Sequence, residues 1–103
     1  MIIEWLKFEV TPEAKQKFIE ADDDIYTETL ATFPGYLGKE TWLNPFVETE
    51  VILVIHWASR EQWKGVAEDI LLETEAKFAQ AVGKDNYRIV ESLEYQIRKF
   101  RQT

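Results

Sequence analysis

An α+β fold with the element order β-α-β-β-α-β is predicted for this chain of 103 residues by three observations. The stretches Ile2 to Val10 and Tyr87 to about Phe100 have the alternating, β-rich character of strands. Two longer stretches carry apolar residues at helical spacing, and each gives way, past a glycine, to further β-forming sequence. Val51 to Trp57 is apolar at nearly every position, as expected of a strand in the middle of a sheet.

The first strand sets Leu6, Phe8 and Val10 on one face and Ile3, Trp5, Lys7 and Glu9 on the other. Thr11 is placed to accept a first-turn N–H, and Pro12 falls at the first helical position, where its missing donor costs nothing. Ala14, Phe18, Ala21, Ile25 and Leu30 then form an apolar stripe that carries a helix to about Thr32. The sequence "FPGYLG" stops it, because Pro34 disfavours helical geometry at Phe33 and the glycines permit tight backbone. Tyr36 to Leu43 is a second strand, "NPFVETE" a hairpin loop and Val51 to Trp57 the third strand. Ser59 and Gln62 read as a capping box for one second helix, whose stripe runs from Trp63 through Ile70 and Phe78 to Val82 and whose end suits Gly83. After the turn "GKDN", the fourth strand is long enough to need a bend or bulge.

This order is the split, ferredoxin-like βαββαβ arrangement: a four-stranded antiparallel sheet of order 4-1-3-2 with two helices on one face, in one domain over residues 1–103. Two helices cover only one face of such a sheet. The third strand is nevertheless apolar on both, with Ile52, Val54 and His56 on one side and Val51, Leu53, Ile55 and Trp57 on the other. Ile3, Trp5 and either Trp42 or Leu43 extend the surplus. A second copy laid sheet against sheet is the simplest cover, so a homodimer is expected.

Composition narrows the function classes. The net charge of -7 repels a phosphate backbone, and the only basic cluster, Arg98, Lys99 and Arg101, reads as a solvated tail, so no nucleic-acid partner is expected. The chain has no cysteine, hence no disulfide and no thiolate chemistry. No apolar run approaches the roughly 20 residues of a membrane span, and "MIIEWLKFEV" alternates instead of forming a signal core. The expectation is a cytoplasmic protein with no membrane partner.

"PGYLGKETW" after the first helix and "IHWASREQW" across the third strand into the second helix resemble the dimeric α/β-barrel superfamily, in particular the antibiotic biosynthesis monooxygenase-like proteins. The resemblance implies a sheet-to-sheet dimer (a dimeric α/β barrel) with a ligand cavity in each subunit between the sheet and its helices. It also implies a choice of chemistries, since members include cofactor-independent oxygenases of polyketide-like aromatics and haem-degrading enzymes. The haem-degrading relatives use an asparagine late in strand one, and a tryptophan and a histidine in helix two. Here Leu6 stands at the first position, Trp63 lies near the start of the helix, and that helix has no histidine. Trp57 matches the tryptophan that closes strand three in many relatives.

His56, the only histidine, is the candidate general base, because its unperturbed pKa lies near neutrality; with no carboxylate near it in sequence, a packing role remains open. Trp57, Trp63, Tyr26 and Leu6 are the candidate ligand-binding residues for a flat aromatic molecule. Asp22 to Asp24 read as a solvated acidic face, since consecutive helical positions point about 100° apart and do not converge on one ion. No metal and no cofactor are expected, and the chain lacks a GxSxG elbow, a phosphate-binding glycine loop and HExxH. The leading expectation is a homodimer that binds an apolar or aromatic small molecule, with cofactor-independent monooxygenase chemistry; the alternatives are a non-catalytic ligand-binding or interaction module and, third, a haem-binding protein.

Overall fold

A computed structural model describes residues 1–102. Strands β1 (Ile2–Val10), β2 (Tyr36–Leu43), β3 (Glu50–Trp57) and β4 (Tyr87–Gln96) form one sheet of order β2-β3-β1-β4, antiparallel at every pairing. This is the expected split βαββαβ topology, with β1 and β3 central. Register fixes which residues share a row: Glu4 of β1 and Lys39 of β2 both lie opposite Ile55 of β3. The expected irregularity in β4 is present as a register shift opposite Lys7 and Phe8. The strand ends four residues short of Phe100, because β1 offers no partner beyond Ile2; a last bond runs from the Ile97 N–H to the Met1 carbonyl.

The first crossover begins with a tight turn at Pro12–Ala14, continues as α1 (Lys15–Ala21), widens into a π-helical stretch at Asp22–Thr27 and closes with α2 (Glu28–Leu30). Thr11 does not cap it through its side chain, which instead faces Asn86 at 3.4 Å; only its carbonyl accepts the Ala14 N–H. Phe18, Asp22, Tyr26 and Leu30 follow one another at intervals of four. In a regular helix each such step overshoots a full turn by about 40°. The wider π turn takes up that drift, so all four side chains face the sheet side of the helix, where they line one cavity.

The second crossover departs from expectation: the single helix is two, α3 (Arg60–Lys64) and α4 (Glu68–Val82). Gly65, a poor helix former, closes the first with a bond to the Gln62 carbonyl, and the extended Ala67 starts the second. The Ser59 hydroxyl does accept the Gln62 N–H, as a capping residue should. Gly83 ends α4 at φ 96°, a conformation that costs a glycine little and any other residue more.

All helices pack on one face of the sheet, against Val10, Val51, Leu53, Ile55 and Trp57. Phe18 and Phe78 meet edge to face at 5.2 Å, and Phe8 and Tyr87 stack around them. The opposite face carries Ile3, Trp5, Ile52, Val54 and Trp42, the last settled on that side by its pairing with Ile52. Among the described residues no helix is long and apolar enough to cross a membrane.

Candidate functional site

The helices do not close fully on the sheet. Between them lies a cavity of about 470 Å³, floored by β1 and β3 and roofed by the first helical crossover and α4. Its walls are mainly apolar and aromatic: Leu6, Tyr26, Trp57 and Trp63 all line it, so the four sequence-selected ligand residues converge on one space. Leu71, Leu72 and Ile89 also line it while remaining exposed, which places its mouth between α4 and β4. Its volume and mainly apolar lining fall within the range of small-molecule pockets.

The cavity also holds a polar set that composition does not announce. Trp57, fully buried, donates its indole N–H to one oxygen of Glu4 at 3.2 Å. The other Glu4 oxygen has no donor among the described residues. Burial pushes the Glu4 carboxyl above the ordinary carboxylate range, and the Trp57 bond and the charges of Lys39 and Lys64 only partly offset it.

Asp22 is the clearest correction to the sequence reading. Asp23 and Asp24 are exposed, but Asp22 is 2% exposed and takes two bonds from the Lys39 ammonium, at 2.9 and 3.0 Å. It lies four residues after Phe18, on the apolar stripe, so position in the helix overrides the acidic run to which it belongs. Burial raises its pKa against the opposing pull of Lys39. A third polar group forms at the far wall, where Glu75 accepts from the Tyr26 hydroxyl at 3.0 Å and the Tyr87 hydroxyl at 3.1 Å. Burial, then the Glu75 charge, raises both phenols, Tyr87 to about 12, so both remain neutral donors.

His56 stands apart from all of this. It alternates with Ile55 and Trp57 and therefore points to the opposite face of the sheet, where its Nε2 meets Glu40 at 2.6 Å. That contact holds the Glu40 carboxyl below its usual range. The partner missing from the sequence neighbourhood of His56 comes from the adjacent strand. Because the chain's only histidine is off the cavity, no histidine is available there as an axial ligand to a haem. Among the described residues no three Asp, Glu or His side chains are grouped to hold a metal ion.

Glu4, Lys39 and Glu75 are functional candidates that sequence reasoning passed over, whereas Tyr87 was among the aromatic residues able to wall a pocket. Glu4 shares the parity of Leu6, Phe8 and Val10 and so was assignable to the covered face of β1. Lys39 required the β2–β3 register, which a single sequence does not supply.

A split βαββαβ chain with an aromatic cavity between sheet and helices has the architecture of a class of small α/β-barrel-type domains. The chain belongs to the antibiotic biosynthesis monooxygenase family, whose model matches residues 1–67, from β1 through α3. The α4 and β4 walls, including Glu75 and Tyr87, lie beyond the match. No curated protein is significantly similar to the chain. Among solved structures it resembles a monooxygenase of Streptomyces coelicolor in complex with nanaomycin D, at 15% identity and TM-score 0.76 over 99% of this chain and 91% of that one. It also resembles SnoaB, a cofactor-independent oxygenase from Streptomyces nogalater, at 13% identity and TM-score 0.70 over 96% and 94%. A conserved protein from Methanosarcina mazei is 18% identical, with TM-score 0.68 over 92% and 90%. At such identities the likeness is one of fold.

Proposed function

We propose that the chain binds a flat hydroxylated aromatic molecule in the cavity and oxygenates it without a cofactor, with Glu4 as general base. The observation that carries this reading is the Glu4 carboxylate itself, set in an aromatic wall with one oxygen fixed by Trp57 and the other turned to no protein donor. A carboxylate whose pKa is raised is a better proton acceptor than an ordinary one. The family, and the oxygenase relatives that share the fold, support the same chemistry.

In the first step the substrate O–H bond breaks, its proton passes to Glu4 and the electron pair stays on the aromatic oxygen. The electron-rich ring then reduces dioxygen. A phenol oxidised to a quinone gives up four electrons; one oxygen atom enters the ring in place of a C–H hydrogen and the other leaves as water, so substrate and dioxygen alone balance the reaction. Oxygen uptake and quinone formation with a dihydroxynaphthalene test this, against Glu4→Gln, which keeps the shape but accepts no proton. Turnover is expected in the wild type and a loss of about 10²-fold or more in the variant. Binding of the naphthalene with no oxygen uptake by the wild type would instead establish a non-catalytic ligand-binding module.

The functional unit in this reading is a pair of copies joined through the open sheet face. Trp42 and Tyr95 are 46% and 52% exposed on it, beside the apolar Trp5 and Ile52, a surface that a second copy would bury. His56 and Glu40 belong to that surface, and their place is at the association face.

A further inference from the structure

Lys39 is a buried cation with an unspent donor. Its side chain is 5% exposed, and two of its three N–H groups go to the two oxygens of Asp22. The third has no acceptor among the described residues, and the side chain lines the cavity. Of the charged residues lining that cavity, Glu4, Asp22, Glu68 and Glu75 are acidic and Lys39 alone is basic. An anionic oxygen formed there therefore finds four carboxyl groups and a single ammonium in the lining.

The placement of that ammonium is specific. Glu4 and Lys39 flank Ile55 in a single cross-strand row, their backbones two strand spacings, or about 10 Å, apart. Both side chains rise on the same side of the sheet, and Ile55 between them is an apolar floor for a ring. Asp22 keeps Lys39 from leaving for solvent, and the Tyr26 ring lies 5.9 Å from the ammonium, against the same space.

We propose that Lys39, locked by Asp22, is the oxyanion-binding group of the cavity, selecting ligands whose aromatic hydroxyl ionises there. This rests on the reading of the cavity as a site for hydroxylated aromatics and adds the atom that receives their charge. The ligand's O–H bond breaks, the proton goes to Glu4, and the electron pair left on oxygen is held by the third N–H of Lys39 as a charge-assisted bond. Asp22 is then a positioning residue with a cost: it orients Lys39 but also cancels part of its charge.

That cost gives the two partners opposite signatures. 4-Nitrophenol, whose absorption reports its ionisation, and 4-nitroanisole, the same ring without an ionisable hydroxyl, are titrated into the full chain. The quantity read is the affinity for the phenolate relative to the anisole. Lys39→Met is expected to lower this ratio by about tenfold or more, since one charge-assisted bond is lost. Asp22→Asn, which frees Lys39 from its counter-charge, is expected to raise it. A purely structural ion pair would lower phenolate and anisole binding together in both variants and leave the ratio unmoved, and that result overturns the proposal. Should Lys39→Met fail to fold by circular dichroism, the double variant Lys39→Met with Asp22→Asn removes both buried charges at nearly unchanged volume, and its ratio is expected at the Lys39→Met value; a wild-type ratio there also overturns it. If the wild type binds neither probe, the cavity reading falls and this proposal with it; anisole binding without phenolate preference removes this proposal alone.

Discussion

On the helix side of β3 stand Leu53, Ile55 and Trp57; on the other side, one residue out of step, stand Ile52, Val54 and His56. Both sides are apolar, yet their polar groups behave in opposite ways. Glu4, under the helices, has its carboxyl pushed up, chiefly by burial, whereas Glu40, on the open face, has its carboxyl pulled down, chiefly by the hydrogen bond from His56. One carboxylate is short of donors inside a cavity, and the other is supplied with them on a flat surface. The difference teaches that the same residue type is desolvated under the helices and hydrogen-bonded on the open face, which is what the proposed ligand site and the proposed association face each require.

The largest break in this comparison is a charge placed on β3. Leu53→Lys replaces a close-packed side chain of the helix-packed core by an ammonium that must leave water, at a cost of several kcal/mol, and is expected to abolish the folded circular-dichroism signal. Val54→Lys, one residue on, is expected to leave the subunit folded and to weaken association, seen as a slower species in sedimentation velocity. Identical unfolding by both variants would erase the distinction between the faces. A wild type that already sediments as a single chain at micromolar concentration would remove the second copy from the open face.

A smaller effect is expected at Trp57. Trp57→Phe loses the bond to Glu4 and leaves part of the indole volume empty, for a destabilisation of about 1–3 kcal/mol in thermal or urea unfolding. Because the indole N–H favours the ionised carboxylate, its loss should drive the Glu4 pKa higher still, and the pH dependence of turnover should move alkaline with it.

The buried acids also shape stability against pH. Glu4 and Asp22 have folded-state pKa values above their ordinary 4.5 and 3.8. Between those values and the raised ones the folded chain binds protons that the unfolded chain has released, so the contribution of these two groups to stability falls as pH rises through that window. Glu4→Gln should flatten its share of the decline, measured by urea unfolding from pH 4 to pH 7. A Glu4→Gln variant with an unchanged pH profile would show that Glu4 is no more buried in solution than an ordinary surface carboxylate.

Much of this architecture was legible in the sequence because it depends on period. Strict alternation fixed β1 to the residue, and the doubly apolar β3 located the centre of the sheet and the presence of a second apolar face. Two elements were misread where period and composition competed. The continuous stripe from Trp63 to Val82 hid a break that Gly65 and the extended Ala67 impose, and the run "DDD" hid the phase of Asp22. The site was legible in its aromatic half only. Trp57, Trp63 and Tyr26 declare themselves by residue type and Leu6 by the strand-one position that the family resemblance points to, whereas Glu4, Lys39 and Glu75 look like ordinary surface charges until strand register and helix phase bring them into one cavity. The attraction of His56 as a lone histidine came from its chemistry, and parity with Val54 places it on the other face.

The most direct measurement sets one residue from each face against the other: steady-state oxygen uptake with a dihydroxynaphthalene by Glu4→Gln and by His56→Ala, each checked for folding and sedimentation. His56→Ala removes one partly exposed contact with Glu40, a change of at most about 1 kcal/mol in stability, and its turnover per subunit should match the wild type. Glu4→Gln should lose about 10²-fold or more with its fold intact. Full activity in Glu4→Gln together with loss in His56→Ala would place the chemistry on the open face and contradict the division of labour drawn here.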